Sequence, residues 1–534
     1  MKRVSNQRVK EILNDGEELA LLDVREQGLF GKEHLLPACS IPLSRMELML
    51  ADLVPRRSTR VVLVDEGPSE PPGLGERAAA RLSVLGYSDV AVMEGGIEGW
   101  RQAGFELFTG VNVPSKAFGE FVEITYDTPR IPAETLKAKM DAGEDFVILD
   151  ARTTAEYNRM CIPGGISVPG AELVYRVHDL APDPKTLVVV NCAGRTRSII
   201  GAQSLINAGI SNPVAALKNG TMGWHLSDLE LAYGKDRKAP EPSSEGLARA
   251  RACAQRVADR YGVRMIDHQA LTAWQQGADE RTLYILDVRS PEEFEAGHLK
   301  GSRNAPGGQL VQATDEYVAV QKPRIVLVDD TEVRAIMTAS WLIQMGWAHV
   351  SVLSGGILNL PLARGPHMPE VLGFTRAETI LPGELVKRLH ASPDPVLIDL
   401  ASSVEFRHQH IPGAHWGIRS RLEEDLQKIA SREHVILTSP DGVLAHLTAR
   451  EVKEFPDVVS VKVLEGGTHT WMEAGLPTTK GMERPISEVN DLYYKPFEHM
   501  DAPEEDMRGY LDWEVGLVEQ IERDGSAKFR AFPR

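Results

Sequence analysis

A strand, turn and helix pattern recurs four times along this chain, and a fourfold repeat restricts the fold more than any other feature of the sequence. The copies read ALLDVREQGLF ending at Phe30, VILDARTTAEY ending at Tyr157, YILDVRSPEEF ending at Phe294 and VLIDLASSVEF ending at Phe406. Each is an apolar run closing on an aspartate, then a polar turn, then a short helix carrying an aromatic. A second signature follows in every copy: RVVLVDEG, LVVVNCAG, RIVLVDD and HVILTSPDG. Continuous β-branched runs of this kind are expected of strands buried on both faces of a parallel sheet. A helical pattern comes next, with Gly86 and Gly209 where a helix C-terminal glycine would sit. A short strand and a glycine turn close each copy. Strand and helix alternate throughout, which predicts an α/β fold of parallel sheets with helices on both faces. Ligands of such sheets bind beyond the carboxyl ends of the strands.

The connectors divide the chain into domains at 1–112, 120–235, 260–365 and 374–480, with a helical tail over 481–534. A chain of 534 residues is too long for one ordinary core, which agrees with this division. In the tail, the amphipathic stretch from Pro503 reads as a helix docked on another domain or subunit rather than as a catalytic element. The net charge of -17 argues against nucleic acid or anionic membrane as a partner. The polar start has no apolar leader region, and no run of about 18 apolar residues exists to span a bilayer. The four cysteines, Cys39, Cys161, Cys192 and Cys253, show neither C-x-x-C spacing nor a disulfide framework. The expected location is cytoplasmic, with the thiols reduced.

The second copy resembles the rhodanese (sulfurtransferase) family in LDAR, AEY, CIPGG, VVVNCAGRTRS and LKNGTMGW. The other three copies resemble it more distantly, so four tandem domains cover all but the connectors and tail. The resemblance implies a five-stranded parallel sheet with helices on both sides in each domain. It also implies a nucleophilic cysteine opening a six-residue loop, here Cys192. Such a thiolate takes sulfane sulfur as a persulfide and passes it on. The residues support this chemistry. A free cysteine titrates at about 8.5, and a helix N-terminus beside cations lowers that to about 3.5–7.5. A helix beginning near Ser198 supplies unpaired amides, and Arg195 and Arg197 supply charge. The amides from Ala193 through Gly194, Thr196 and Ser198 form a nest for sulfur and for an anionic donor.

Comparing the copies sorts the remaining candidates. Glu66, Asp330 and Ser439 align with Cys192, so domains one, three and four are expected to be inactive. Asp150 and Arg152 recur as Asp23 with Arg25 and Asp287 with Arg289, in copies without the thiol. Arg152 therefore reads as chiefly structural, with substrate contact a secondary role. Arg176 has no counterpart and is a second candidate for anion binding. Cys161 replaces a histidine seen as His34, His298 and His410, and reads as a small buried residue rather than a relay thiol. The loop is one residue shorter than the Cys-to-Arg spacing of thiolate phosphatases, which disfavours a phosphatase or arsenate reductase. It is also neither CRKGVT nor CGSGVT, the loops of the two best-known subclasses. The expected reaction moves sulfur from thiosulfate or a persulfide, a small anionic donor, to cyanide or a thiol. The alternative is a persulfide-responsive scaffold. No metal or cofactor is expected, and the inactive domains are expected to shape the site or to build an oligomer interface.

Overall fold

In the computed structural model, which describes residues 1–68, 70, 72–358, 360–389, 395–495 and 503–533, every repeat closes its own parallel sheet. The second repeat shows the plan. Its strands lie in the order Arg130–Ile131, Val214–Leu217, Leu187–Asn191, Phe146–Asp150 and Ile166–Ser167, all parallel. Val188 and Val190 of the central strand pack with the helices Leu173–Leu180 and Thr196–Ala208 on one face. Val189 packs on the other face, against Leu136 and Trp224. All three valines are fully buried, which explains why the strand carries no polar alternation. The third and fourth repeats keep this strand order. The first sheet gains a sixth strand, because Val320–Gln321 of the third repeat pairs antiparallel with Leu19–Asp23. The added strand covers an edge that would otherwise expose unpaired backbone groups.

Strand register corrects the alignment of the repeats. Asp150 lies opposite Asn191, Asp23 opposite Val64, Asp287 opposite Val328 and Asp399 opposite Thr438. The residues that follow the central strands are therefore Asp65, Cys192, Asp329 and Ser439. Asp65 and Asp329 stand at the cysteine position, in place of the expected Glu66 and Asp330; Ser439 keeps its place. Each of the two loops holds consecutive acids, and only the cross-strand pairing decides which one leaves the strand. The closing glycines give the same answer. Gly96, Gly220, Gly356 and Gly467 have φ of +55°, +56°, +58° and +66°. A Cβ on them would come within 2.5, 2.3, 2.3 and 2.1 Å of the carbonyl oxygens of Asp65, Cys192, Asp329 and Ser439. Only glycine accepts both that conformation and that contact.

Backbone bridges also lengthen two domains. Ser167 pairs with Lys238 and Trp416 with Pro485, so the second and fourth units run past the expected ends at 235 and 480. One apolar core runs through the first three repeats. The fourth docks on the first through an ion network in which Arg419 binds Glu47 at 2.8 Å and Glu451 at 2.6 Å. The connector helix Val113–Tyr126 lies between the first two repeats, and the tail helix Glu504–Asp524 packs along it. Ahead of that helix, Asn490 accepts a backbone hydrogen bond from Gly28 at 2.9 Å. At its last residue, Asp524 is held by Lys10 at 2.7 Å, and beyond it the Arg530 amide donates to the Gln344 carbonyl at 2.8 Å. The tail is thus a strap that starts at the fourth domain and touches the other three. Among the described residues, no helix is long and apolar enough to cross a membrane.

Candidate functional site

Cys192 follows the central strand of the second sheet and precedes the helix Thr196–Ala208. That helix starts two residues earlier than the sequence pattern indicates, with Arg195 at its N-cap. The early start brings the Ser198 amide to the sulfur as a hydrogen-bond donor. The Ser198 hydroxyl lies 3.4 Å from Cys192 Sγ and donates to the Arg195 carbonyl at 2.8 Å. The side chain is 2% exposed. Burial raises the pKa of the thiol above its ordinary value; Arg197 and the hydrogen bonds with the Ser198 hydroxyl and amide pull it back, and the charge of Glu514 raises it further. The strongly acidic thiol expected from the sequence is therefore absent from this closed site, because desolvation outweighs the nearby cation and amides.

The same cradle exists in the other repeats, filled by oxygen. Asp329 Oδ2 accepts from the amides of Arg334 and Ala335 at 3.0 and 3.4 Å. Ser439 Oγ accepts from the Ala445 amide at 3.3 Å, and Asp65 Oδ2 from the Gly75 amide at 2.9 Å. The fold thus offers a nest of amides for one acceptor atom at this position, and two of its four occupants are carboxylates.

The two loop arginines have different duties. Arg197 forms a fork on Glu156, with both bonds at 2.7 Å, and reaches Gln309 of the third repeat at 3.2 Å. Arg334 binds Glu293 in the same way, at 2.8 and 3.0 Å, in a repeat with no thiol. The Arg197–Glu156 pair is therefore architectural, although its charge still acts on the sulfur. Glu156 also closes a capping box with Thr153, so one carboxylate fixes both a helix start and the loop. Arg195 turns to the connector helix, binding Glu120 at 2.7 and 2.6 Å and Glu123 at 2.6 Å. Both guanidinium groups are occupied, so neither presents a free fork to an anion.

Arg152 lies beneath the site, bidentate on Asp150 at 2.9 and 2.7 Å and bound to the Met160 carbonyl. Arg25 and Arg289 do the same on Asp23 and Asp287. Arg176 belongs to the cleft between the second and third repeats, where Glu172 and Glu241 bind it. Ala193 is buried, and Gly194 passes so close to Met222 that a Cβ there would lie 2.8 Å from its methyl carbon. Cys161 is buried beside Tyr157, Asp150, Arg152 and Lys235. In the other repeats the corresponding histidine stacks on Phe30, Phe294 or Phe406.

Two helices far from the loop in sequence contribute to the site. Lys116, Glu120 and Glu123 project from the connector helix. Tyr510, Leu511 and Glu514 come from the tail, whose helix packs on Met222 beside the loop. Thr196 Oγ1 donates to Glu514 Oε1 at 3.4 Å. The amphipathic pattern from Pro503 signalled a docking helix, but nothing in it signalled where the helix docks.

A family model described as a rhodanese-like domain matches residues 5–103, 132–227, 269–360 and 381–474. A crystal structure of thiosulfate sulfurtransferase from Pseudomonas aeruginosa is 49% identical, covers 100% of both chains and superposes with a TM-score of 0.95. The uncharacterized protein YqhL of Bacillus subtilis (strain 168) is 36% identical over 88 residues, which are 16% of this chain and 68% of that one. The putative sulfur carrier protein YrkF of the same organism is 24% identical over 126 residues, 22% of this chain and 67% of its own.

Proposed function

The chain belongs to the rhodanese-like family, with four domains in tandem, and from that premise we propose that it is a sulfurtransferase whose sulfur travels on Cys192. The observation that carries this reading is the shared amide nest. All four repeats build it, and the second alone fills it with an atom that can form a persulfide. Donor sulfane sulfur, from thiosulfate or a related persulfide, is attacked by the Cys192 thiolate. The outer sulfur bonds to Sγ, and the donor leaves with the electron pair, as sulfite in the case of thiosulfate. Amides at the start of the helix favour the anion that forms. A thiol or cyanide then takes the sulfur. Asp65, Asp329 and Ser439 cannot hold a sulfane sulfur, so their repeats serve as structure. Arg152 and Arg176 are assigned no direct part, because each is consumed by ion pairs with neighbouring carboxylates.

The test is transfer from thiosulfate to cyanide by the wild type and by Cys192→Ser, with mass analysis of the peptide containing residue 192 after donor treatment. One added sulfur in the wild type and loss of transfer in the variant are expected. Transfer that survives the substitution overturns the reading. The burial of Cys192 beneath the tail favours a second reading, a persulfide-responsive scaffold. Turnover that stops after one equivalent would select it.

A further inference from the structure

The carboxyl of Glu514 has no part in the reaction as described so far, yet it is 3% exposed and reaches the loop from the tail helix. Its Oε1 accepts from Thr196. Its Oε2 is buried without a hydrogen-bond partner among the described residues. A Cβ built on Gly194 would lie 3.4 Å from that oxygen, so its lone pairs sit against the loop backbone just past the nucleophile. Leaving a carboxylate oxygen buried and unpaired costs free energy, and a donor placed there recovers it. The charged groups acting on Glu514 are Lys116 and Glu120 of the connector helix and Arg195 of the loop, and the Tyr510 hydroxyl of its own helix favours the charged form. Lys116 is buried beside them, with Nζ donating to the Val111 carbonyl at 2.6 Å. The field of Glu514 reaches Cys192.

We propose that Glu514 is the general base that takes the proton from a thiol acceptor as that acceptor attacks the persulfide. The inference rests on the sulfurtransferase reading of Cys192. An ordinary thiol is mostly protonated at neutral pH, so its attack requires somewhere for the proton to go. The acceptor S–H donates to Oε2; the S–H bond breaks, and the proton moves to Glu514. The freed electron pair bonds to the outer sulfur of the persulfide. The bond between that sulfur and Sγ breaks, and its pair returns to Cys192. The products are the acceptor persulfide anion, the Cys192 thiolate and a neutral Glu514. The proton passes to the departing persulfide or to solvent. Charge is conserved, and no external oxidant or reductant enters. Burial raises the pKa of Glu514, which makes its carboxylate a stronger base than an exposed one.

The test uses the full chain, loaded with sulfur from thiosulfate and freed of excess donor. Single-turnover discharge is followed with 2-mercaptoethanol, and with cyanide at a pH where cyanide is already the anion. In Glu514→Gln the ratio of thiol discharge to cyanide discharge is expected to fall about 100-fold or more, the usual range for loss of a general base. An unchanged ratio overturns the proposal. A wild type that never gains sulfur on Cys192 overturns the underlying reading instead, so the two failures are distinguishable. Should the variant fail to fold, wild-type discharge by a series of thiols of graded pKa decides. A weak dependence on thiol pKa at pH 7 supports the base. A rate that falls about three- to fourfold with each unit of rising thiol pKa, the loss of thiolate fraction less the gain in nucleophilicity, overturns it.

Discussion

Cys192 lies in a cradle that the fold builds whether or not chemistry is present. Asp329 and Ser439 occupy the same amides, so the nest is a property of the strand-to-helix turn rather than of the thiol. The buried, raised thiol sets the sign of the pH response. Only the thiolate attacks, so alkylation of Cys192 by iodoacetamide is expected to accelerate as pH rises through neutrality and to keep rising above pH 8.5, the ordinary value for a free thiol. A rate that plateaus near pH 6 would show the thiol to be acidic instead. Gly220 is the second test at this scale. Its positive φ and the 2.3 Å approach of a Cβ to the Cys192 carbonyl make Gly220→Ala costly. About 1–2 kcal/mol comes from the left-handed backbone alone, with the clash added. A lowered thermal midpoint and at least tenfold slower persulfide formation are the expected readouts.

At the scale of elements, the tail helix matters most. Its residues Met507, Tyr510, Leu511, Leu517 and Ile521 are buried. Leu517 is fully buried against Phe108, Val113 and Ala117. Leu517→Ala is expected to cost about 2–5 kcal/mol as a cavity in that interface. Loosening the strap should also expose the loop beneath it. The measurement is the alkylation rate of Cys192 at fixed pH, expected to rise several-fold; an unchanged rate would mean that the helix does not guard the thiol. The sequence showed the amphipathic face of this helix, since its period follows from local spacing. Its docking site was invisible, because Glu514 and Thr196 meet only in the folded chain.

Across the whole molecule, buried ion pairs join repeats that are distant in sequence. Arg419 is 4% exposed and depends on Glu47 and Glu451 for its charge partners. Glu47→Gln leaves that guanidinium half-satisfied at the junction of the first and fourth repeats. Breaking such a pair costs about 3–5 kcal/mol. Release of the fourth repeat by limited proteolysis, together with a lower thermal midpoint, is the expected outcome; a wild-type digestion pattern would argue that the apolar contacts suffice. The strand Val320–Gln321 makes a similar point about long-range assembly. Its two residues carry no pattern that assigns them to the sheet of another repeat, yet they complete that sheet's edge.

The sequence by itself determined four α/β repeats and the single cysteine that leaves a central strand, because both depend on local periodicity and on comparison among copies. It also marked Asp150 and Arg152 as chiefly structural, with substrate contact a secondary role for Arg152, since that pair recurs in repeats without the cysteine at this position. The tertiary structure decided the rest. Strand pairing moved the cysteine-equivalent positions to Asp65 and Asp329. Ion pairing withdrew Arg195 and Arg197 from open solvent, and Arg334 showed the second of these to be architectural. Folding also carried Lys116 and Glu514 to the loop from a connector and a tail. Burial and charge at Cys192 arise from groups far apart in the chain, and no local pattern encodes such a sum.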